Sequence, residues 1–277
     1  MMKPGMSFIM SGTPSLGYTS SPMHQILAIS RYTLLEARRT RLLLLFAAAL
    51  GAMLALAFFV SELAVTESLR MQTTFYAAGA RFAAVFIVAV HVIGSVTREF
   101  DDKGLDMLLA LDLPRSHYIL GKLGGFLAMG VVIGAIACLP LWWMAPLEPA
   151  LQWGAALVLE LAVVIAFSLF CVIAFGQFIP AAAVVLAFYV LARSLGAIRL
   201  MSAHPLSGAD ALSHEIGRWM IEGLALVTPA LDRWPLTAWL IDFPASWSAI
   251  FLLLMEAALY VVLLAGAAMV DFHRRNF

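Results

Sequence analysis

A chain of 277 residues that is 63% hydrophobic and only 12% charged, with a mean hydropathy of +0.94, falls outside the range of an ordinary soluble domain. Its basic and acidic residues balance to a net charge of zero, so it lacks the basic footprint that nucleic-acid binding needs. Cys138 and Cys171 both stand in apolar runs, where a thiol packs as a small hydrophobe, and they imply no disulfide framework.

Residues 1–22 are rich in Gly, Ser, Pro and Thr, without an apolar period and without the long apolar core and cleavage site of a signal peptide. They are expected to be a disordered leader, and both Met1 and Met23 stand as candidate starts. Over residues 23–41, Ile26, Leu27, Ile29, Leu34 and Leu35 alternate with Arg31, Glu36, Arg38, Arg39 and Arg41. This pattern predicts an amphipathic helix lying in the membrane interface with its cationic side toward anionic headgroups. The plainer reading is a basic flank ahead of a first span.

Residues 42–277 form the membrane domain. Apolar runs long enough to cross a hydrocarbon core of about 30 Å predict six spans, near 42–60, 76–97, 118–143, 153–175, 178–199 and 247–270. The expected fold is therefore all-α and polytopic. With the N-terminus cytoplasmic, eleven of the seventeen Lys and Arg residues lie on that side. The positive-inside rule and the even span number then place both termini in the cytoplasm. Gly176 to Pro180 leave room only for a tight turn between spans four and five.

Two regions outside the spans stand out. Segment 98–122 is a charge-dense island between spans two and three. Segment 200–246 sets Leu212, Ile216, Trp219, Met220 and Leu224 opposite Asp210, His214, Glu215, Arg218 and Glu222 at helical spacing. Pro229, Pro235 and Pro244 break the remainder of the segment into short pieces, and Trp234, Trp239 and Trp247 suit a headgroup boundary, so this region reads as membrane-associated helices on the outer leaflet.

At the island the chain resembles the permease subunits of ABC-2-type transporters, closest to the copper-enzyme-maturation-type branch. Their segment between spans two and three runs from an acid through Lys or Arg and Gly, a leucine-rich stretch and a Pro-x-Ser-Arg turn, to Gly-Lys at the next span. Glu99, Lys103, Gly104, Leu105, Asp106, Leu108, Leu109, Arg115, Tyr118, Gly121 and Lys122 fill that pattern. Asp112, Leu113 and Pro114 depart from it, displacing the proline by two residues.

The resemblance implies an interface that couples the spans to a separate ATP-binding subunit, drawn from Glu99, Asp101, Asp102, Lys103, Gly104, Leu105, Asp106, Leu108, Leu109, Arg115 and Lys122. Gly104 would let the backbone turn into a short helix, and Leu105, Leu108 and Leu109 would give it an apolar face for a groove on the partner. Asp101, Asp102, Asp106 and Arg115 would set partner choice and register. The alternative is a solvated loop that merely obeys the charge rule.

No GxxxxGK[ST] loop occurs in the chain, so no cofactor is expected in it, with ATP and Mg held by the partner. Gly121, Gly125, Gly130 and Gly134 are spaced for close helix packing rather than for phosphate. His214-Glu215 lacks the second histidine of a zinc-protease motif, Arg218 standing in its place, and no metal site is expected. His91 stands alone in span two, where a helix contact is commoner than a ligand.

Glu160, Arg193 and Glu256 are charges inside spans, roughly 8 to 14 Å from the outer boundary at about 1.5 Å per residue. Arg193 is expected to pair with Glu160 or Glu256, in a structural or a substrate-lining role.

The reading these residues support is a multi-pass permease subunit of an ATP-driven exporter in the bacterial inner membrane. It would act with a second permease copy and two copies of an ATP-binding subunit, and not as an enzyme itself. Two alternatives stay open: a mechanotransmitter acting on an extracytoplasmic partner at 200–246, and an ATPase-independent intramembrane enzyme or assembly factor using His91, Glu160 and Glu256.

Overall fold

The computed structural model describes residues 22–63, 67–101, 114–203, 219–224, 228–229, 231–234, 237–241 and 245–274. In chain order the helices are α1 (Pro22–Arg39), α2 (Leu42–Leu63), α3 (Ser68–Asp101), α4 (Arg115–Cys138) and the short α5 (Leu141–Met144). They continue with α6 (Leu147–Phe175), α7 (Phe178–Ala203), a 3-10 turn at Leu231–Arg233, α8 (Ala238–Ile241) and α9 (Trp247–Arg274). Among the described residues there is no strand. The leader and most of segment 200–246 lie outside the described residues, including the stretch from Asp210 to Arg218.

Six stretches are long and apolar enough to cross a membrane, namely α2, α3, α4 with α5, α6, α7 and α9, as expected of a multi-pass membrane protein. They run from 22 to 34 residues. At about 1.5 Å per residue even the shortest exceeds a hydrocarbon core of about 30 Å.

Burial sorts these helices. α6 is apolar on every side, and 72% of its apolar window is buried, against 17% in both α2 and α9. A helix hydrophobic all round belongs in the middle, and α3, α4, α7 and α9 pack around α6. α2 lies against α3 and α1 against α4, so α2 and α1 form the periphery. α4 comes close to α6 at Gly134, where a Cβ would stand 2.5 Å from Val158 Cγ2. Glycine is used there to bring two backbones together. At the far end of the same pair, Cys138 Sγ donates to the Ala150 carbonyl at 3.2 Å, and both cysteines are free thiols.

The helices overrun the predicted spans. α3 starts at Ser68, so the outer connection expected over Ser61 to Phe75 is much shorter. Gln72 and Thr73 are buried in this added turn, and Thr73 Oγ1 donates to the Leu69 carbonyl at 2.8 Å. A hydropathy window penalises residues that the fold faces inward and satisfies. At the other end α3 runs through Arg98 and Glu99 to Asp101, and α4 begins at Arg115, so most of the charged ends of the 98–122 island are helix. The turn between α6 and α7 is as tight as expected: Gly176 takes φ 66° and its amide donates to the Val172 carbonyl at 2.9 Å.

The two ends of the bundle differ. One carries Trp142 and Trp143, both exposed, and Trp247, whose Nε1 donates to Glu148 at 3.1 Å, an aromatic belt of the kind found at a headgroup layer. At the other end α1, the C-terminus of α3, the N-terminus of α4 and the C-terminus of α9 converge.

Candidate functional site

The convergence is built around Lys122. It lies two turns into α4, on the face turned toward α3 and α1, and its side chain is 1% exposed. A buried ammonium needs partners, since an unpaired charge out of water is costly. Lys122 Nζ forms an ion pair with Glu99 of α3 and stands 3.5 Å from Glu36 Oε2 of α1. The rings of Phe126 and Tyr32 lie 5.6 and 5.9 Å from the same ammonium, within cation–π range.

Each carboxylate has further donors. Glu99 accepts the Tyr118 hydroxyl of α4. Glu36 accepts Ser95 Oγ at 2.9 Å and Arg98 Nη2 at 3.3 Å, both from α3. Burial alone would raise the Glu36 carboxyl, yet Lys122, Ser95, His91 and Arg98 together hold it below its ordinary value. Phe272, near the end of α9, stacks on Tyr118 with centroids 5.9 Å apart. Four helices are thus fastened at one place by two cations, two carboxylates and an aromatic pair.

α1 reaches this place because α4 lets it approach. A Cβ on Gly125 would stand 2.6 Å from Thr33 Cβ and 2.8 Å from the Ser30 carbonyl oxygen, and one on Gly121 would stand 2.6 Å from Ile29 Cβ. Ser30 Oγ donates to the Gly121 carbonyl at 2.8 Å, and His117 Nδ1 lies 3.0 Å from Gln25 Oε1. The packing role expected of the glycine series holds, with α1 against Gly121 and Gly125 and α6 against Gly130 and Gly134.

Two expectations are corrected at this cluster. Lys122, expected on a surface meeting a partner, is enclosed among the helices because α4 begins seven residues before it. Glu36, expected on the polar side of α1, faces inward with Thr33 and Ala37, while Leu27, Tyr32, Leu34 and Leu35 are exposed. Glu99 and Tyr118 are likewise engaged within the bundle. Asp101 is exposed at the end of α3, and Arg115 opens α4. Asp102, Lys103, Gly104, Leu105, Asp106, Leu108 and Leu109 lie outside the described residues, on the twelve-residue connection between Asp101 and Pro114 whose two roots the Lys122 clamp joins.

The intramembrane charges form a second cluster. Arg193 of α7 stands 3.7 Å from Glu160 of α6, which is wholly buried, and Tyr189 donates its hydroxyl to the same carboxylate at 3.0 Å. Of the two partners expected for Arg193, Glu160 is the one paired. Arg193 Nη1 also donates to the carbonyls of Leu231 and Trp234, the latter at 2.8 Å, tying the 3-10 turn to the spans. Glu256 stands on α9, one turn before Tyr260.

Arg81 of α3 belongs to this cluster: it hydrogen-bonds with Tyr189 and lies in the field of the Glu160 carboxylate. It shares the inner stripe of α3 with Ala77, Ala84 and Val88, and that helical spacing was the available signal. His91 is buried against Phe126, rings edge-on at 6.2 Å, with its Nε2 unpartnered. Among the described residues no group of three or more His, Cys, Asp or Glu could hold a metal ion.

The chain matches no protein-family model, and no curated protein matches it in sequence.

Proposed function

We propose that this chain is the membrane-spanning subunit of an ABC-2-type, ATP-driven transporter, working as a pair with a second permease copy. The connection between α3 and α4 would dock on a separate ATP-binding subunit, two copies per complex, which holds the ATP and Mg. The observation that carries this reading is the Lys122–Glu99–Glu36 clamp at the roots of that connection. A coupling element transmits force only if it is attached stiffly to what it moves. Here the two helices flanking a leucine- and acid-bearing segment are joined to each other and to α1 by buried ion pairs. Movement of the segment would tilt α3, α4 and α1 together.

The exposed face of α1, with Leu27, Leu34 and Leu35 beside Arg31, Arg38 and Arg39, suits the headgroup layer of a cytoplasmic membrane. With α1 there, both termini and the coupling segment would lie in the cytoplasm, which the distribution of Lys and Arg also favours.

A second reading within the same class, a mechanotransmitter acting on an extracytoplasmic partner, is favoured by Arg193. It ties Leu231 and Trp234 to α7 and Glu160, a mechanical link from the spans to the 200–246 segment.

The test is co-purification of the tagged chain from its native membranes, comparing wild type with Asp106→Arg and Leu109→Asp. An ATP-binding protein recovered with wild type and lost with both variants supports the coupling role. Its recovery with all three, or with none, overturns it.

A further inference from the structure

A cavity of about 410 Å3 opens where the corner between α1 and α2 meets α3 and the start of α7. Thr40 and Leu42 line it from either side of Arg41, Leu45 from the first turn of α2, and Phe178 from the first residue of α7. Its long wall is one stripe of α3, running from Phe86 through Val90 and Gly94 to Arg98. At about 1.5 Å per residue that stripe is about 18 Å long, close to the depth of one leaflet of a hydrocarbon core about 30 Å thick. The cavity therefore runs from the headgroup level, where α2 and α7 begin and α3 nears its end, toward the middle of the bilayer. It is open at the side, because Leu45, Phe86 and Phe178 are exposed on surfaces that hydrocarbon would cover. Gly94 keeps the wall low: a Cβ there would meet Phe178 at 3.7 Å, an ordinary contact, and a larger side chain would fill the space.

The mouth of this cavity is cationic. Arg98 and Lys122 are balanced by Glu36 and Glu99 within the clamp. Arg38, Arg39 and Arg41 are left over: all three are exposed, and among the described residues none of their side chains is in an ion pair or a hydrogen bond. On the four helices that meet here, the acid left over at this end is Asp101, exposed at the end of α3. Arg41 also holds φ 55°, a left-handed backbone that Gly or Asn adopts more easily, so an arginine stands between the two residues at the mouth at some cost in backbone strain.

We propose that this cavity holds one acyl chain of an anionic phospholipid whose phosphate sits at the α1–α2 corner beside Arg38 and Arg41. The chain lies along α3 over Val90 and Phe86, with Leu45 and Phe178 on its flanks. Planar guanidinium groups match the geometry of a phosphate and hold it through paired N–H donors. A headgroup with net negative charge is selected over a zwitterionic one, whose own cation would be placed among arginines. Binding is a property of this chain alone, and it stands whether or not an ATPase is coupled to it.

The experiment is native mass spectrometry of the purified full chain, titrated in detergent with dioleoylphosphatidylglycerol or dioleoylphosphatidylcholine, with free glycerol phosphate as competitor. Arg38→Gln combined with Arg41→Asn removes two exposed charges and suits the backbone at Arg41, while Gly94→Phe fills the cavity without changing a charge. In wild type the first phosphatidylglycerol is expected to bind at least about tenfold more tightly than the first phosphatidylcholine, the scale set by two arginines at an anionic headgroup. The arginine variant is expected to lose that preference and keep its affinity for phosphatidylcholine, and Gly94→Phe to weaken both lipids. Equal affinity of the two lipids for wild type shows that hydrocarbon alone is recognised and overturns the site. Displacement of phosphatidylglycerol by glycerol phosphate at equal concentration overturns it as well, since a free phosphate then suffices. Wild-type affinity for phosphatidylglycerol in either variant that keeps the wild-type unfolding temperature places the lipid elsewhere and also overturns it. The arginine variant decides the matter alone if Gly94→Phe does not fold.

Discussion

Glu36, on the helix that precedes the first span, stands 3.5 Å from Lys122, two turns into the third, and this contact makes α1 part of the bundle rather than an appendage to it. Lys122 is enclosed on all sides, so its positive charge is compensated from within the protein by Glu36 and Glu99.

Removing one member of a buried ion pair costs roughly 3–5 kcal/mol, because the other charge is left without compensation. Lys122→Met should therefore lower the thermal midpoint and the folded yield sharply. Arg98→Ala should change stability by less than about 1 kcal/mol, since Arg98 is 57% exposed and its pair with Glu36 is screened by solvent. Adding Glu99→Gln to Lys122→Met should recover part of the loss. Thermal unfolding in detergent followed by tryptophan fluorescence ranks the variants.

The same cluster sets an acid limit on stability. Glu36 is held below its ordinary 4.5, burial being outweighed by Lys122, Ser95, His91 and Arg98. A carboxylate with a depressed folded value contributes stability that is fully present above the unfolded value and is lost as pH falls through the folded one. The advantage of wild type over Glu36→Gln should stay constant from about pH 7 to about pH 5.5 and shrink below about pH 4.5. Unfolding midpoints of both proteins across that range measure it, and an advantage that grows in acid would contradict the assignment.

Packing makes a separate demand. Gly125→Val adds atoms where even a Cβ lies 2.6 Å from Thr33, so α1 must move away from α4, at a cost of about 1–3 kcal/mol. Gly51→Val on α2 meets nothing within 4 Å and should be tolerated. Limited proteolysis within α1 should accelerate in the first variant and not in the second.

Arg193→Leu should reduce folded yield, and Glu160→Gln should restore only part of it in the double variant. Neutralising Glu160 removes the stranded carboxylate, but the Leu231 and Trp234 carbonyls still lack their donor. Complete rescue would mean that the carbonyl contacts contribute little. Absence of any rescue would mean that the Glu160 pair is not what Arg193 chiefly serves.

How much of this was legible depends on the range of the signal. The six spans show in the sequence because hydropathy sums over about 20 neighbouring residues, and the α6–α7 turn shows because Gly176 and Pro180 are local. The helix ends do not, because residues such as Gln72 and Thr73 are polar yet face inward. The pairing of Arg193 with an acid was expected from the cost of charge in a membrane, while the choice of Glu160 needed the packing of α6 on α7. The clamp could not be read at all: Glu36, Ser95, Glu99, Tyr118 and Lys122 come from three helices, and only the docking of α1 on α4 unites them. Glu36 does share the α1 stripe of Ile29, Thr33 and Ala37, a spacing that marks it as inward-facing once that face is known to be buried.

Site-specific photo-crosslinking in native membranes tests the coupling role most directly, with a photoreactive residue placed at Leu105, Leu108, Leu109 or, as a lipid-facing control, Leu252 of α9. The account expects an ATP-binding protein to be captured from the three leucine positions and not from Leu252, and the capture to weaken when Lys122→Met loosens the roots of the segment. No capture of such a protein from any of the three, or equal capture from Leu252, would contradict it.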